Sequence, residues 1–162
     1  MNNDTVPYFE YPENPLHPDK PIIERDNVEV ILFDPKTRQV LCLDWEKFGW
    51  KTFIIGGIDA DTVQGAAQRE VREETGYTDI TFVSEIGKTR SGYFATHKNE
   101  NRIANTTVLL YVLNSDVKDD IDPAEFEKHV PVWISLSEVA DYLNDPSEEY
   151  LWKKAFREIE NL

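Results

Sequence analysis

Gly56 to Tyr77 reads GGIDADTVQGAAQREVREETGY, and this stretch decides the fold. Asp61 is a natural N-cap, and Gln64 three residues later completes a capping-box pattern. Gly76 suits the C′ position, where a chain leaving a helix turns left-handed. The spacing therefore predicts a helix over Thr62 to Thr75. On a wheel of about 100° per residue, Val63, Ala66 and Ala67 form an apolar stripe. Glu70 and Glu74 continue that stripe, Glu73 lies at its margin, and Arg69 and Arg72 point elsewhere. The stripe begins as core and ends as carboxylate.

Acids on a buried or half-buried line are costly unless something positive meets them. Carboxylates four residues apart also repel one another. Hard oxygen ligands converging at one point suit Mg²⁺ or Mn²⁺. The plainer alternative is a solvated acidic helix end. Two features argue against it: the acids follow the apolar stripe instead of opposing it, and a Gly-Gly turn precedes the helix.

These residues resemble the Nudix box, G-x5-E-x7-R-E-U-x-E-E-x-G-U, where U is bulky and aliphatic or similar. Arg69, Glu70, Val71, Glu73, Glu74 and Gly76 match its second half, with Tyr77 in the last U place. The first half departs. Asp61 stands where the family has Glu, and the leading Gly of the pattern falls on Ile55, one residue before Gly56-Gly57. The turn between glycines and helix is about one residue short.

The chain has 162 residues, 40% of them hydrophobic and 12% aromatic, which suits one globular domain with a proper core. A net charge of −14 argues against nonspecific nucleic-acid binding and against an anionic membrane surface. A phosphorylated substrate stays open, because a bound divalent metal supplies positive charge locally. Cys42 is the single cysteine, inside an apolar run, and reads as a small core residue. That fits a reducing, cytoplasmic setting. No run has the length of a membrane span, and the polar, acidic start is unlike a signal peptide.

Residues 1–26 hold five of the nine prolines and read as an extended N-terminal arm, with a single domain over 27–162. Tyr8, Phe9 and Tyr11 make the arm too aromatic for a plain tail. It packs across the domain surface, makes a homodimer contact, or joins a substrate pocket. Val28 to Phe33 and Val40 to Trp45 read as strands joined by an Asp34-Pro35-Lys36-Thr37 turn. Lys51 to Ile55 is a third strand, and Phe48 or Trp50 beside it suits a core, a rim or a pocket wall. Ile80 to Val83 and Glu85 to Lys88 are strand material. The stretch from Gly87 to Asn105 carries Lys88, Arg90, Lys98 and Arg102 against Glu100 alone, a sign of an anion nearby or of a solvated hairpin loop. Tyr93 and Phe94 beside those cations suit a stacked base or sugar. Thr106 to Leu113 reads as a central strand. An acidic loop follows over Asn114 to Lys128, and Pro131 to Ile134 is a last strand. Ser135-x-x-Glu138 and Asp145-Pro146 each open a helix whose apolar face needs a sheet to cover. Helices packed on a mixed sheet follow.

The resemblance implies an α/β/α sandwich, with a mixed sheet flanked by helices. It implies hydrolysis of a nucleoside diphosphate linked to another moiety, by water attack at phosphorus with Mg²⁺ or Mn²⁺. Glu70, Glu73 and Glu74 become the metal ligands, with a backbone carbonyl near Gly57. Arg69 orients an acid, either Glu70 or Asp61. Glu125 or Glu127 in the acidic loop supplies a catalytic base or extra ligand. Arg90, Tyr93, Phe94, Lys98, Arg102 and Trp50 are the substrate-binding candidates. Within the enzyme class, an ADP-ribose or nucleotide-sugar substrate is favoured over (oxidised) nucleoside triphosphates and dinucleoside polyphosphates. A non-catalytic nucleotide sensor is the rival from another class. A diphosphate isomerase is a lesser one, for which Cys42 in a strand is poorly suited.

Overall fold

The computed structural model describes residues 5–59 and 61–162. The first four residues of the expected arm, which include the start read as unlike a signal peptide, lie outside it, as does Ala60. Strands β1 (Tyr8–Glu10), β2 (Ile22–Asp34), β3 (Gln39–Trp45), β4 (Trp50–Thr52) and β5 (Ile54–Gly57) precede helix α1 (Val63–Thr75). Strands β6 (Ile80–Ala95) and β7 (Glu100–Leu113) follow, then α2 (Pro123–Phe126), β8 (Val130–Ser135), α3 (Val139–Tyr142) and α4 (Pro146–Glu160). The strands form one mixed sheet in the order β1-β6-β7-β2-β3-β4, with β5 also on β2 and β8 also on β3.

Period-two alternation in β2 explains the two layers of helix. Val28, Val30 and Leu32 join Ala66, Ala67 and Val71 of α1 in one core. Ile31 and Phe33 join Leu151, Trp152, Ala155 and Ile159 of α4 in the other. Each large apolar side chain so buried contributes about 1.5–3 kcal/mol. The result is the expected α/β/α sandwich. Cys42 is fully buried in the α4-side core, and burial pushes its thiol pKa up. Among the described residues no helix is long and apolar enough to cross a membrane.

The local signals hold with five amendments. Gly76 ends α1 at φ 82°, and its N–H donates to the Arg72 carbonyl. At the other end Thr62, not Asp61, caps the helix: Thr62 Oγ1 accepts from the Gly65 N–H, because Asp61 is taken by Arg69. The pieces expected over 80–83 and 85–88 are one strand, β6, whose register shifts between Phe82 and Ser84 and between Glu85 and Gly87 break the pattern read in the sequence. The cationic stretch is strand up to a short 3₁₀ turn at Thr96–Lys98, where Asn99 takes a left-handed φ of 53°. Ser135 makes no capping bond. The chain forms a 3₁₀ turn and the single turn of α3 before Leu143 goes extended, which lets Asp145 cap α4. β2 already begins at Ile22, inside the stretch expected as arm.

Candidate active site

β5 runs into α1, and the contact between them builds the site. Gly56 faces α1, and a side chain there would fall on the carboxyl end of Glu70. Only a glycine lets Glu70 lie against the strand. Arg69 then ties the segment together. Its Nη1 donates to Glu70 Oε1 at 3.0 Å, its Nη2 to the Gly57 carbonyl at 3.0 Å, and its Nε to Asp61 Oδ2 at 3.1 Å. Glu73 Oε2 lies 3.8 Å from the same guanidinium. Arg69 thus holds both of the acids expected for it, as a planar fork of donors allows.

Burial pushes the Glu70 carboxyl up to about 7, and the Glu74 charge adds to the rise against the pull of Arg69. Glu74 is buried, and burial raises it too, against the pull of His129 and the Ile55 amide. His129 Nε2 stands 3.5 Å from Glu74 Oε1 and 3.6 Å from Glu125 Oε2. Glu74 Oε2 is buried with no hydrogen-bond partner among the described residues. A buried anionic oxygen without a donor is the place for a cation. Oxygen donors from Glu70, Glu73, Glu74 and the Gly57 carbonyl fit a hard divalent ion. Among the described residues, no three acidic, His or Cys side chains already converge as a finished cage.

Two cavities open on the surface, and Glu70, Glu74 and Gly57 line neither of them. One of about 880 Å³ runs along α1 and is lined by Arg69, Arg72, Glu73, Asp119, Asp122 and Glu125. The other, of about 510 Å³, lies at the start of α4, where Glu29 and Glu148 meet Trp45, Phe48 and Trp50. Ile55 of β5 lines the smaller cavity, and the larger one meets the site through Arg69, Glu73 and Glu125. Phe48 and Trp50 stack at 4.7 Å. Glu29 and Glu148 are buried acids raised well above the ordinary carboxylate range, first by burial and then by neighbouring carboxylates. Glu148 Oε2 accepts the Phe53 N–H at 2.6 Å, while Oε1 has no partner among the described residues.

The structure therefore brings Arg69, Glu70, Glu73, Glu74, Gly57 and Glu125 together. Glu127 is exposed and makes no ion pair among the described residues. Tyr93 and Trp50 line the smaller cavity. Phe94 stacks on His17 instead. Arg90 is engaged by Glu24 and Asn105, Arg102 by Glu100, and Lys98 sits exposed at the hairpin tip. None of these four lines either cavity. His129, Glu29 and Glu148 were missed as site residues. Glu125-x3-His129 is a helical spacing, and Glu29 interrupts an apolar strand, so both left a trace in the sequence.

The family model described as "NUDIX domain" matches residues 24–154. No curated protein matches the chain by sequence. Among solved structures, an Ap4A hydrolase from C. elegans is 16% identical with a TM-score of 0.66, covering 85% of this chain and 99% of its own. The E. coli dihydroneopterin triphosphate pyrophosphohydrolase is 15% identical with a TM-score of 0.63, covering 84% and 99%. A MutT protein from Bacillus halodurans is 20% identical with a TM-score of 0.57, covering 82% of each chain. At these identities the likeness is one of fold.

Proposed function

The chain belongs to the NUDIX family, a family of pyrophosphohydrolases, and on that premise we propose that it hydrolyses the diphosphate of a nucleoside diphosphate linked to another moiety. The observation that carries this reading is buried Glu70 beneath Gly56 beside buried Glu74, one oxygen of which has no partner among the described residues. Glu70 and Glu74, with Glu73 and the Gly57 carbonyl, would hold Mg²⁺ or Mn²⁺. Such an ion neutralises a diphosphate and draws electrons from the phosphorus under attack.

The chain's own groups do the rest. Arg69 fixes the directions of Glu70 and the Gly57 carbonyl, so the donor set is organised before substrate arrives. Glu125, held near Glu74 through His129, is the base: its carboxylate takes the proton as water oxygen bonds to phosphorus and the anhydride P–O bond breaks. Glu127 has no such placement. The nucleoside end enters the smaller cavity, where the indoles and Phe48 offer stacking faces. Glu29 and Glu148, raised by burial and set in the cavity wall, offer carboxyl groups for hydrogen bonds to a base edge. ADP-ribose or a nucleotide sugar is the favoured substrate, since the smaller cavity offers aromatic walls to a nucleoside end.

One observation favours the sensor reading. Arg69 already occupies Glu70 Oε1 and the Gly57 carbonyl, two oxygens that a cation needs. A release screen over ADP-ribose, nucleotide sugars, dinucleoside polyphosphates and nucleoside triphosphates separates the two. Metal-dependent turnover supports the hydrolase. Metal-dependent nucleotide binding by calorimetry without turnover supports the sensor.

A further inference from the structure

The N-terminal arm enters the sandwich at the edge of β6. β1 pairs with it in parallel, Tyr8 against Arg90 and Glu10 against Gly92. The backbone continues this seating: the Tyr11 N–H donates to the Gly92 carbonyl at 3.1 Å, and the Phe94 N–H to the Asn14 carbonyl at 2.9 Å. Asn101 pins the following turn. Its Oδ1 accepts the His17 N–H at 2.8 Å, and its Nδ2 donates to the carbonyls of His17 at 2.7 Å and Lys20 at 3.1 Å. Covering an edge strand needs no more than this.

The side chains go further. The Tyr11 ring meets Tyr93 edge-on at 5.4 Å, and its hydroxyl donates to Asp145 Oδ2. The other oxygen of Asp145 caps α4, accepting from the Ser147 N–H at 2.8 Å. The arm is thereby fastened to the helix start that carries Glu148. Tyr11, Pro12, Glu13 and Asn14 line the same 510 Å³ cavity as Glu148, whose buried Oε1 has no partner among the described residues. A tyrosine held at both its ring and its hydroxyl is a rigid wall, because its two side-chain torsions are fixed.

We propose that Tyr11 is a specificity-determining residue: its ring sets the size of the cavity and so selects which nucleoside ends enter. This rests on the reading that the cavity takes the nucleoside end of the substrate. It makes the arm part of the binding site and not only a cover for the sheet edge.

The test compares kcat/KM for the best substrate of the release screen with that for its analogue carrying an etheno-extended base. Wild type and Tyr11→Phe, which keep the ring, should reject the extended base. Tyr11→Ala should lower that discrimination at least 10-fold, mainly through a lower KM for the analogue. A purely structural role would weaken both substrates alike, so an unchanged ratio in folded Tyr11→Ala overturns the proposal. Tyr11→Leu replaces it if the alanine variant melts early. If wild type turns over nothing, the same ratio is read from dissociation constants by quenching of tryptophan fluorescence. A shifted binding ratio then upholds the wall while the hydrolase reading falls, and an absence of nucleotide binding overturns both.

Discussion

Gly56 and Glu70 occupy one another's space: the carboxyl end of Glu70 lies where a side chain on Gly56 would stand. Strand and helix are locked together there. Gly56→Ala should expel Glu70 from its seat, lowering turnover at least 10-fold and stability by about 1–3 kcal/mol through overpacking. Steady-state kinetics and urea denaturation of the variant check both effects.

Arg69 bonds three oxygens on three different residues, Asp61, Glu70 and Gly57. A lysine offers a point charge where the fork is needed. Arg69→Lys should therefore raise the Mg²⁺ concentration needed for half-maximal turnover several-fold while the fold survives. A metal titration of activity, paired with circular dichroism, measures this.

Much of this region was legible from sequence because its determinants are local. The stripe from Val63 to Glu74 and the glycine at 76 sit within a few turns of one helix. Asp61 misled for the same reason, since its partner Arg69 outcompetes the helix end for its carboxylate. The cations at Arg90 and Arg102 looked free because their partners, Glu24 across the sheet and Glu100 two residues away, depend on a strand that the sequence presents as a loop. His129 and Glu29 left only a local trace, because Glu74 and the cavity wall that give them a role lie far along the chain, and Glu148 meets Phe53 from the other end of the sequence.

Glu125 and Glu127 are two residues apart, yet only Glu125 meets His129. Glu125→Gln should reduce kcat by at least about 10², the lower end of general-base contributions. Glu127→Gln should stay within about twofold of wild type, like most surface changes. Parallel kinetics on the two variants decide between them.

Glu29 and Glu148 have folded-state pKa values raised above the ordinary 4.5. The unfolded chain therefore binds fewer protons than the native state between 4.5 and those raised values. Their favourable contribution is complete below about pH 4.5 and is lost as pH rises through the raised values. Glu29→Gln and Glu148→Gln should stabilise the protein, by more at pH 8 than at pH 5. Melting temperatures of both variants and wild type at the two pH values, without added metal, give the comparison.

The central claim is that Glu74, buried with one oxygen unpartnered among the described residues, holds the cation on which turnover depends. The most direct measurement is metal-dependent turnover of Glu74→Gln beside wild type on the best substrate, with folding verified by thermal melting. The expected result is a loss of at least about 10², as removal of a ligand weakens the ion's action on phosphorus. Turnover close to wild type in the folded variant would contradict it.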